Sequence, residues 1–158
     1  MKKVYVNEEV CIGCGLCEVY CRLKHAESDD LVKAYKREQA LPRLRVENRG
    51  VVSFSVRCQQ CDDTPCMYAC LTGAIGRNPQ TGAVTVDRDK CIGCWTCILV
   101  CPFGAIKQDK NNKVAVRCDL CPDEETPVCV ANCPNEALVC IETDEMDSDK
   151  SGRAVASA

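Results

Sequence analysis

Short stretches in which apolar and polar residues alternate recur along the chain and predict β-strands. Four of them cover residues 4–6, 53–56, 84–86 and 114–116. Turn-forming residues gather at 48–50, 78–82 and 109–112, so we expect hairpins there. Each strand is followed by a cysteine-rich loop, a short stretch compatible with a helix, and another apolar stretch. The sequence therefore predicts a repeated unit of strand, loop, short helix and strand.

The apolar positions are too few to build an ordinary packed core. Apolar residues make up 46% of the 158 positions, but this figure includes 17 cysteines, and only 4% of the residues are aromatic. Without the cysteines the apolar fraction falls to roughly 35%. No run of about 18 apolar residues occurs, which excludes a membrane span. The composition also excludes a large α/β enzyme, so we infer that the cysteines hold the fold together.

Charge and the first residues narrow the class of protein further. The formal net charge is −3, so no basic excess indicates binding to nucleic acid or to an anionic membrane surface. Lys2 and Lys3 are followed by Glu8 and Glu9 rather than by an apolar segment, so we expect no export signal and a cytoplasmic protein. A disulfide scaffold is the usual alternative for a cysteine-rich chain, but it is typical of secreted proteins. We therefore interpret the cysteines as metal ligands.

Sixteen of the seventeen cysteines fall into four groups of four. The groups are Cys11, Cys14, Cys17 and Cys21; Cys58, Cys61, Cys66 and Cys70; Cys91, Cys94, Cys97 and Cys101; and Cys118, Cys121, Cys129 and Cys133. Cys140 is left over, and we expect it to be a small core residue in a strand rather than a ligand.

The spacing within the groups predicts iron–sulfur clusters. The first and third groups have the C-x2-C-x2-C-x3-C spacing of bacterial ferredoxins, and Pro102 completes the pattern in the third. Three closely spaced thiolates hold one cluster, while the fourth, which we expect at the start of a short helix, reaches a neighbouring cluster. The second and fourth groups lengthen the interval before their third cysteine. Zinc is the alternative, chiefly for the fourth group, because CxxC pairs also bind zinc. The sixteen cysteines thus predict four [4Fe–4S] clusters.

The lengths of chain between the groups predict which of them share clusters. Groups two and three are separated by 20 residues and groups one and two by 36, which favours an inner pair of groups two and three and an outer pair of groups one and four. Groups three and four, 16 residues apart, form the alternative pair. The nested arrangement predicts four ligand sets: Cys11, Cys14, Cys17 and Cys133; Cys118, Cys121, Cys129 and Cys21; Cys58, Cys61, Cys66 and Cys101; and Cys91, Cys94, Cys97 and Cys70.

The predicted fold class is α+β, with short β-hairpins, short helices and two bacterial-ferredoxin-like modules, one nested inside the other. The outer module comprises residues 1–49 and 108–141, and the inner module comprises 50–107. Residues 142–158 are acidic and then small and polar, which predicts a disordered tail.

Residues 22–47 are an insertion in the outer module, and we expect a polar helix from Arg22 to Glu38. His25, the one histidine of the chain, is interpreted as a surface residue of this helix rather than a ligand. Trp95 lies inside a cysteine loop, either as a packing lid over a cluster or as a gate for electrons. The basic residues of the insertion form either a solvated face or a docking surface for an acidic partner; they are Lys33, Lys36, Arg37, Arg43 and Arg45.

The cysteine pattern resembles that of the four-cluster ferredoxin-type subunits of anaerobic redox complexes, over about residues 3–142. A closer likeness, to the iron–sulfur protein of carbon monoxide dehydrogenase systems, is carried by CIGCGLCEVYC, CLTGAIGRNPQTGAV, CIGCWTCILVCPFGAI and CVANCPNEAL. Arg22 and Leu71 replace the proline of the full Cys-Pro pattern, which affects the local turn rather than the ligation.

The resemblance implies a chain of clusters between two redox partners. The electron donor is expected to be a catalytic subunit, namely carbon monoxide dehydrogenase or, alternatively, formate dehydrogenase or aldehyde oxidoreductase. The expected acceptor is a hydrogenase or a flavoprotein.

All sixteen predicted ligands are cysteines, so protein thiolates saturate every iron and leave none for a substrate. This predicts an electron-transfer subunit of an oxidoreductase complex and not an enzyme; a structural zinc protein or scaffold is the alternative of another class. Each oxidised site adds about −2, which takes the net charge to about −11. We therefore expect association with basic partner surfaces that weakens with salt.

Overall fold

The computed structural model describes residues 2–142 and shows a small α+β protein built from short elements. The strands are β1 (Lys2–Val6), β2 (Leu44–Arg49), β3 (Val52–Arg57), β4 (Ile75–Arg77), β5 (Val84–Val86), β6 (Lys107–Asp109), β7 (Val114–Val116) and β8 (Leu138–Glu142). The helices are α1 (Leu16–Lys24), α2 (Leu31–Lys36), α3 (Pro65–Tyr68), α4 (Thr96–Leu99) and α5 (Val128–Ala131). None of these helices is long and apolar enough to cross a bilayer. The predicted tail lies outside the described residues, except Glu142, which ends β8.

The strands pair as four separate two-stranded antiparallel sheets, β1 with β8, β2 with β3, β4 with β5, and β6 with β7. The last three are hairpins whose turns fall at the predicted positions, so the strand and turn predictions are confirmed. The first sheet joins the two ends of the described chain and pairs Val4 with Cys140. It brings the first and fourth cysteine groups to the same part of the molecule.

Two separate hydrophobic clusters, rather than one continuous core, hold these elements. The first contains Val4, Cys17, Cys21, Leu44, Ala83, Leu120, Cys129 and Leu138. The second contains Cys66, Ile75, Val84, Cys97, Ile106 and Ala115. Helix α1 packs against α5, and α3 packs against α4. Cysteine side chains are part of both clusters, as the low apolar content of the sequence leads one to expect.

The insertion after α1 is less helical than the sequence predicts. Helix α1 ends at Lys24, and α2 begins only after Asp30, whose carboxylate accepts hydrogen bonds from the backbone amides of Val32 and Lys33. The expectation of one helix from Arg22 to Glu38 is therefore wrong. Short polar residues such as Asp favour N-caps over helix interiors because their side chains compete for backbone amides.

Two hairpins cross the predicted module boundaries. The hairpin of β2 and β3 spans the boundary between residues 49 and 50, and β6 spans the one between residues 107 and 108. Leu44 of β2 packs in the first hydrophobic cluster, while Ala115 of β7 packs in the second. The predicted boundaries thus fall within hairpins rather than between them.

Candidate metal centres

The third cysteine of each group lies in a short helix, and the fourth lies near or beyond its end. In the second group, Cys66 lies in α3 and Cys70 follows it. In the first, Cys17 and Cys21 both lie in the longer α1. The expectation that the fourth cysteine starts the helix is therefore wrong. One turn of helix contains 3.6 residues, so the x3 spacing places the third and fourth sulfurs on the same side of the helix.

Site A is formed by Cys11, Cys14, Cys17 and Cys133, which line one cavity. The first three come from the loop before α1 and from the start of α1, and Cys133 follows α5. The pairing of β1 with β8 and the packing of α1 against α5 bring these segments together. Three cysteines of the first group thus meet the last cysteine of the fourth.

Site B is formed by Cys118, Cys121, Cys129 and Cys21. Burial, together with the neighbouring thiols of Cys21 and Cys121, raises the pKa of Cys129 to about 12. Burial also raises the pKa of Cys118 and of Cys121, with further contributions that include Cys21. Cys21 of α1 therefore lies among the first three cysteines of the fourth group, which is the reciprocal of site A.

Site C is formed by Cys58, Cys61, Cys66 and Cys101. Arg117 donates hydrogen bonds from Nη2 to Cys58 Sγ at 2.8 Å and from Nη1 to Cys66 Sγ at 3.1 Å. Burial raises the pKa of Cys61 and of Cys66, and the thiols of Cys58 and Cys101 raise both further. The last cysteine of the third group thus lies beside the first three of the second.

Site D is formed by Cys91, Cys94, Cys97 and Cys70, which line a second cavity together with Trp95. The packing of α3 against α4 brings Cys70 to the third group. Trp95 precedes α4 and lines the same cavity as the four cysteines.

Thiols of neighbouring sites also influence one another. In each of three pairs, the two thiols belong to neighbouring sites. Burial is the largest cause of the raised pKa of the thiol named second, and the thiol named first raises it by a smaller amount. These pairs are Cys17 with Cys129, Cys58 with Cys118, and Cys66 with Cys97. They connect site A to B, B to C, and C to D.

The cysteine sulfurs are not gathered as closely as a zinc site gathers its ligands. Four thiolates bound tetrahedrally at about 2.3 Å from zinc lie about 3.8 Å from one another. Among residues 2–142, the group of three potential ligand atoms that lie within 4.8 Å of one another is His25, Asp119 and Cys121, and it contains a single cysteine.

Backbone amides are directed at the sulfurs, as iron–sulfur sites need. The amide of Arg43 donates to Cys21 Sγ at 3.2 Å, and the amide of Ala115 donates to Cys91 Sγ at 3.4 Å. Such hydrogen bonds disperse the negative charge of a thiolate and tune a bound cluster.

Thiol acidity differs between the buried and the exposed members of a site. In site D, burial raises the pKa of Cys97 to about 11. The hydroxyl of Thr96 donates to the exposed Cys94, and this bond lowers the pKa of the Cys94 thiol. Metal binding requires the thiolate form of all four sulfurs, so the folding of these sites is linked to the metal.

Two buried arginines provide a further test of whether the residues present fit a [4Fe–4S] cluster. Arg57 and Arg117 are only 2% and 3% exposed, and the ion pairs found among residues 2–142 include neither. Arg57 Nε and Nη1 and Arg117 Nε are buried with no hydrogen-bond partner from the chain. A buried cation needs a counter-charge. A [4Fe–4S] core with four thiolates carries about −2 and supplies it, so the residues present fit this group.

Sequence reasoning overlooked both arginines. The available signal was the Arg-Cys dipeptide, which opens the second and fourth groups, whereas Val10 and Lys90 precede the first cysteine of the other two.

His25 is not a surface residue of a polar helix, as the sequence indicated. Its side chain is 12% exposed, and its Nδ1 and Nε2 lie 2.7 Å from the Cys21 carbonyl oxygen and 3.4 Å from Asp119 Oδ1. Burial alone would lower the pKa of His25, but the bonds to Asp119 and Cys21 raise it to about 9. Asp119 also pairs with Arg43. The partner lies 94 residues away in the sequence, so local pattern could not reveal this contact.

The basic residues of the insertion do not act as one surface. Lys33, Lys36 and Arg37 are exposed, but Arg43 pairs with Asp119, and Arg45 pairs with Glu47 as well as donating to the Gly104 carbonyl at 2.7 Å. Only the first three remain as a solvated face. Cys140 lies in β8, where it packs against the first hydrophobic cluster and belongs to none of the four sites.

Comparison with known proteins gives one family and several full-length relatives. Residues 50–143 match the family described as the 4Fe-4S dicluster domain. The putative electron transport protein YsaA of Escherichia coli K12 is 40% identical over 86% of this chain and 87% of its own length. The electron transport protein HydN of the same strain is 37% identical over 91% and 90%. An iron–sulfur protein of Rhodospirillum rubrum is 34% identical over 89% and 82%.

Proposed function

This chain belongs to the 4Fe-4S dicluster family of iron–sulfur electron-transport proteins, and from that premise we propose that it carries electrons along four [4Fe–4S] clusters arranged in one line. The four clusters would be held by sites A, B, C and D in that order. A bound [4Fe–4S] cluster supplies a one-electron redox couple that changes charge with little change in bonding. The chain itself contributes the ligands, the hydrogen bonds to sulfur and the burial that govern that couple.

The observation that carries the proposal is the exchange of the last cysteine between groups. Cys133 lies beside the first group and Cys70 beside the third, each in a cavity with three other thiols. This exchange ties sites A and B into one pair and sites C and D into another. It supports the nested division into an outer module, 1–49 with 108–141, and an inner module, 50–107. The hairpins that cross those boundaries favour placing 50–57 with the outer module and 108–116 with the inner one.

The exposure of the sulfurs indicates which sites form the two ends of the line. Cys14 and Cys94 are the two exposed cysteines in the part of the chain that the structure describes, and they belong to sites A and D. Sites B and C lie between these ends, and Cys21, Cys121 and Cys129 of site B are buried. Electrons would enter and leave at A and D and pass through B and C.

Apolar side chains surround both exposed ends. Ile12, beside Cys14, is 63% exposed, and Ile92, at the equivalent position beside Cys94, is 64% exposed. Leu99, in the helix α4 that holds Cys97 of site D, is 85% exposed. Exposed apolar patches of this kind are typical of protein–protein contact sites, so we propose that one redox partner docks at each end.

For the partners, we propose carbon monoxide dehydrogenase as donor and a hydrogenase or flavoprotein as acceptor. The resemblance of the cysteine segments to the iron–sulfur protein of carbon monoxide dehydrogenase systems supports this pairing. A formate dehydrogenase, an aldehyde oxidoreductase or a hydrogenase is the alternative complex. For the compartment we propose the cytoplasm, where thiols are kept reduced and remain available as ligands.

Iron analysis of protein purified without oxygen tests the four-cluster proposal. We expect about sixteen iron atoms per chain, because four [4Fe–4S] clusters contain that number. Replacing Cys14 or Cys94 by alanine should each remove up to about four iron atoms. Cys140→Ala is the matched control and should keep the full content, because Cys140 lies outside the four sites. A colourless protein that contains zinc would contradict the proposal.

A pair of surface substitutions tests the two docking ends. Ile12 and Ile92 occupy equivalent positions in CIGCG and CIGCW, so Ile12→Lys and Ile92→Lys introduce the same charge at opposite ends of the line. Rapid-mixing measurements with the reduced donor and with the acceptor should show that each variant slows one of the two steps. Carbon monoxide dehydrogenase in the presence of carbon monoxide is the donor to use first. If both variants slow the same step, or neither slows any, entry and exit at opposite ends is refuted.

A further inference from the structure

Two buried arginines occupy equivalent positions in the repeat. Arg57 ends β3 and directly precedes Cys58 of site C, and Arg117 follows β7 and directly precedes Cys118 of site B. Both are almost fully buried, although arginine is rarely buried unless it is paired. Burial of an arginine at both equivalent positions indicates that the two side chains have the same role in the repeat.

Arg117 is attached beside one central site but is directed at the other. Its two terminal nitrogens donate to Cys58 Sγ and Cys66 Sγ, both in site C, at 2.8 and 3.1 Å. The planar guanidinium therefore bridges two ligand sulfurs, a geometry that a lysine cannot reproduce. Charge-assisted hydrogen bonds of this kind are stronger than those from neutral amides.

Arg57 carries the other buried charge. Burial lowers the pKa of its guanidinium, and the thiols of Cys129 and Cys118, both in site B, are the largest of the opposing influences, followed by Cys58. Its Nε and Nη1 are buried without a hydrogen-bond partner from the chain. Arg57 is thus a second buried cation in the repeat, 2% exposed and next to Cys58 of site C.

We propose that Arg57 and Arg117 form a pair of buried cations that raises the reduction potentials of the central sites. Arg117 acts on site C through its two hydrogen bonds, and Arg57 adds a second buried positive charge at the equivalent position of the repeat. This inference rests on the proposed function, because it concerns clusters held at those sites. Reduction adds one negative charge to a site, and a nearby buried cation stabilises that charge more than it stabilises the oxidised form. The pair therefore keeps the two middle sites of the line within reach of electrons delivered at the ends.

Redox titration of the full-length, anaerobically purified protein, followed by electron paramagnetic resonance, tests the pair. The variants are Arg57→Gln and Arg117→Gln. Arg88→Gln is the matched control, because Arg88 is 62% exposed in its side chain and pairs with Asp109. We expect Arg117→Gln to lower the midpoint potential of one central site more than those of the others, and Arg57→Gln to lower a central potential more than those of the end sites. The control should leave all potentials unchanged. A soluble paramagnetic ion, which broadens the signals of the exposed ends first, distinguishes the end sites from the central ones.

The variant Arg117→Lys distinguishes an electrostatic effect of Arg117 on site C from a purely structural effect of its loss. Lysine keeps the charge but loses the bridge between two sulfurs, so its downward shift should be smaller than that of Arg117→Gln and should fall on the same site. This variant also serves if Arg117→Gln loses iron. Normal potentials in all central variants would overturn the inference while leaving the proposed function intact. A wild-type protein without reducible iron–sulfur signals would overturn both.

Discussion

Replacing Gly93 by alanine should destabilise the protein far more than the same change at Gly15. Both glycines lie in cysteine loops and have similar positive φ angles, +67° and +74°. Alanine in the left-handed region costs about 1–2 kcal/mol, and this part is common to both positions. The positions differ in what a Cβ atom would meet, so the comparison isolates the steric part.

The steric part arises at Gly93 alone. A Cβ atom there would lie 2.4 Å from the backbone carbonyl oxygen of Lys113, whereas nothing lies within 4 Å of a Cβ atom at Gly15. A backbone atom in a hairpin turn cannot move aside as a side chain can, and overpacking costs about 1–3 kcal/mol. We therefore expect a loss of about 2–5 kcal/mol for Gly93→Ala and about 1–2 kcal/mol for Gly15→Ala.

Thermal loss of the visible iron–sulfur absorbance, measured without oxygen, provides the readout. In a chain of this size 1 kcal/mol corresponds to about 2–4 °C in the midpoint, so Gly93→Ala should melt about 2–12 °C below Gly15→Ala. All samples need one scan rate, because cluster loss is irreversible and the midpoint then depends on the rate of heating. Equal midpoints for the two variants, or a lower one for Gly15→Ala, would refute the reasoning.

Three other outcomes follow from the structure. Gln60→Leu should lower the free energy of unfolding by about 2–5 kcal/mol, because Gln60 is 1% exposed and its hydrogen bonds to the Cys118 carbonyl and the Val84 amide would be lost. Denaturant unfolding of this variant and of Gln59→Leu, a control at the half-buried neighbour, measures the difference. Burial raises the pKa of Cys140, so its thiolate is scarce at neutral pH. Alkylation of the holoprotein should therefore modify Cys140 alone, and the rate of alkylation should keep rising above pH 9. Removing iron with a chelator should abolish most secondary structure by circular dichroism, because cysteines supply much of both hydrophobic clusters, and a cooperative melt of the apoprotein would argue the opposite.

The sequence reveals the local units because each depends on a few adjacent residues. Alternating stretches predict strands such as β5 and β7, and turn residues such as Asn78 and Gly82 predict the hairpins between them. The spacing of the cysteines also predicts which thiols come together, since loop length limits the partners that each group can reach. These features involve contacts within a repeat or between repeats of the same pattern.

The features that the sequence did not reveal depend on contacts between distant segments. His25 was interpreted as exposed because its own segment is polar, but Asp119 buries it from another loop. The division of the insertion has a local cause instead. Asp30 accepts hydrogen bonds from the amides of Val32 and Lys33 and so begins α2, a competition between side chain and backbone that a helix-compatible composition does not reveal.

The contact between sites B and C is the feature that the spacing of the cysteines does not predict. Exchange of the last cysteine connects site A with B and site C with D, and this exchange follows from a repeated spacing. Nothing in that spacing connects B with C. In the structure, buried polar side chains make this connection. Gln60, from the loop of site C, donates to the Cys118 carbonyl of site B, and Arg117, next to Cys118, donates to Cys58 and Cys66 of site C. The Arg-Cys dipeptide that opens the second and fourth groups marks this arginine in the sequence, but the cysteine spacing does not indicate that its side chain reaches the sulfurs of another group.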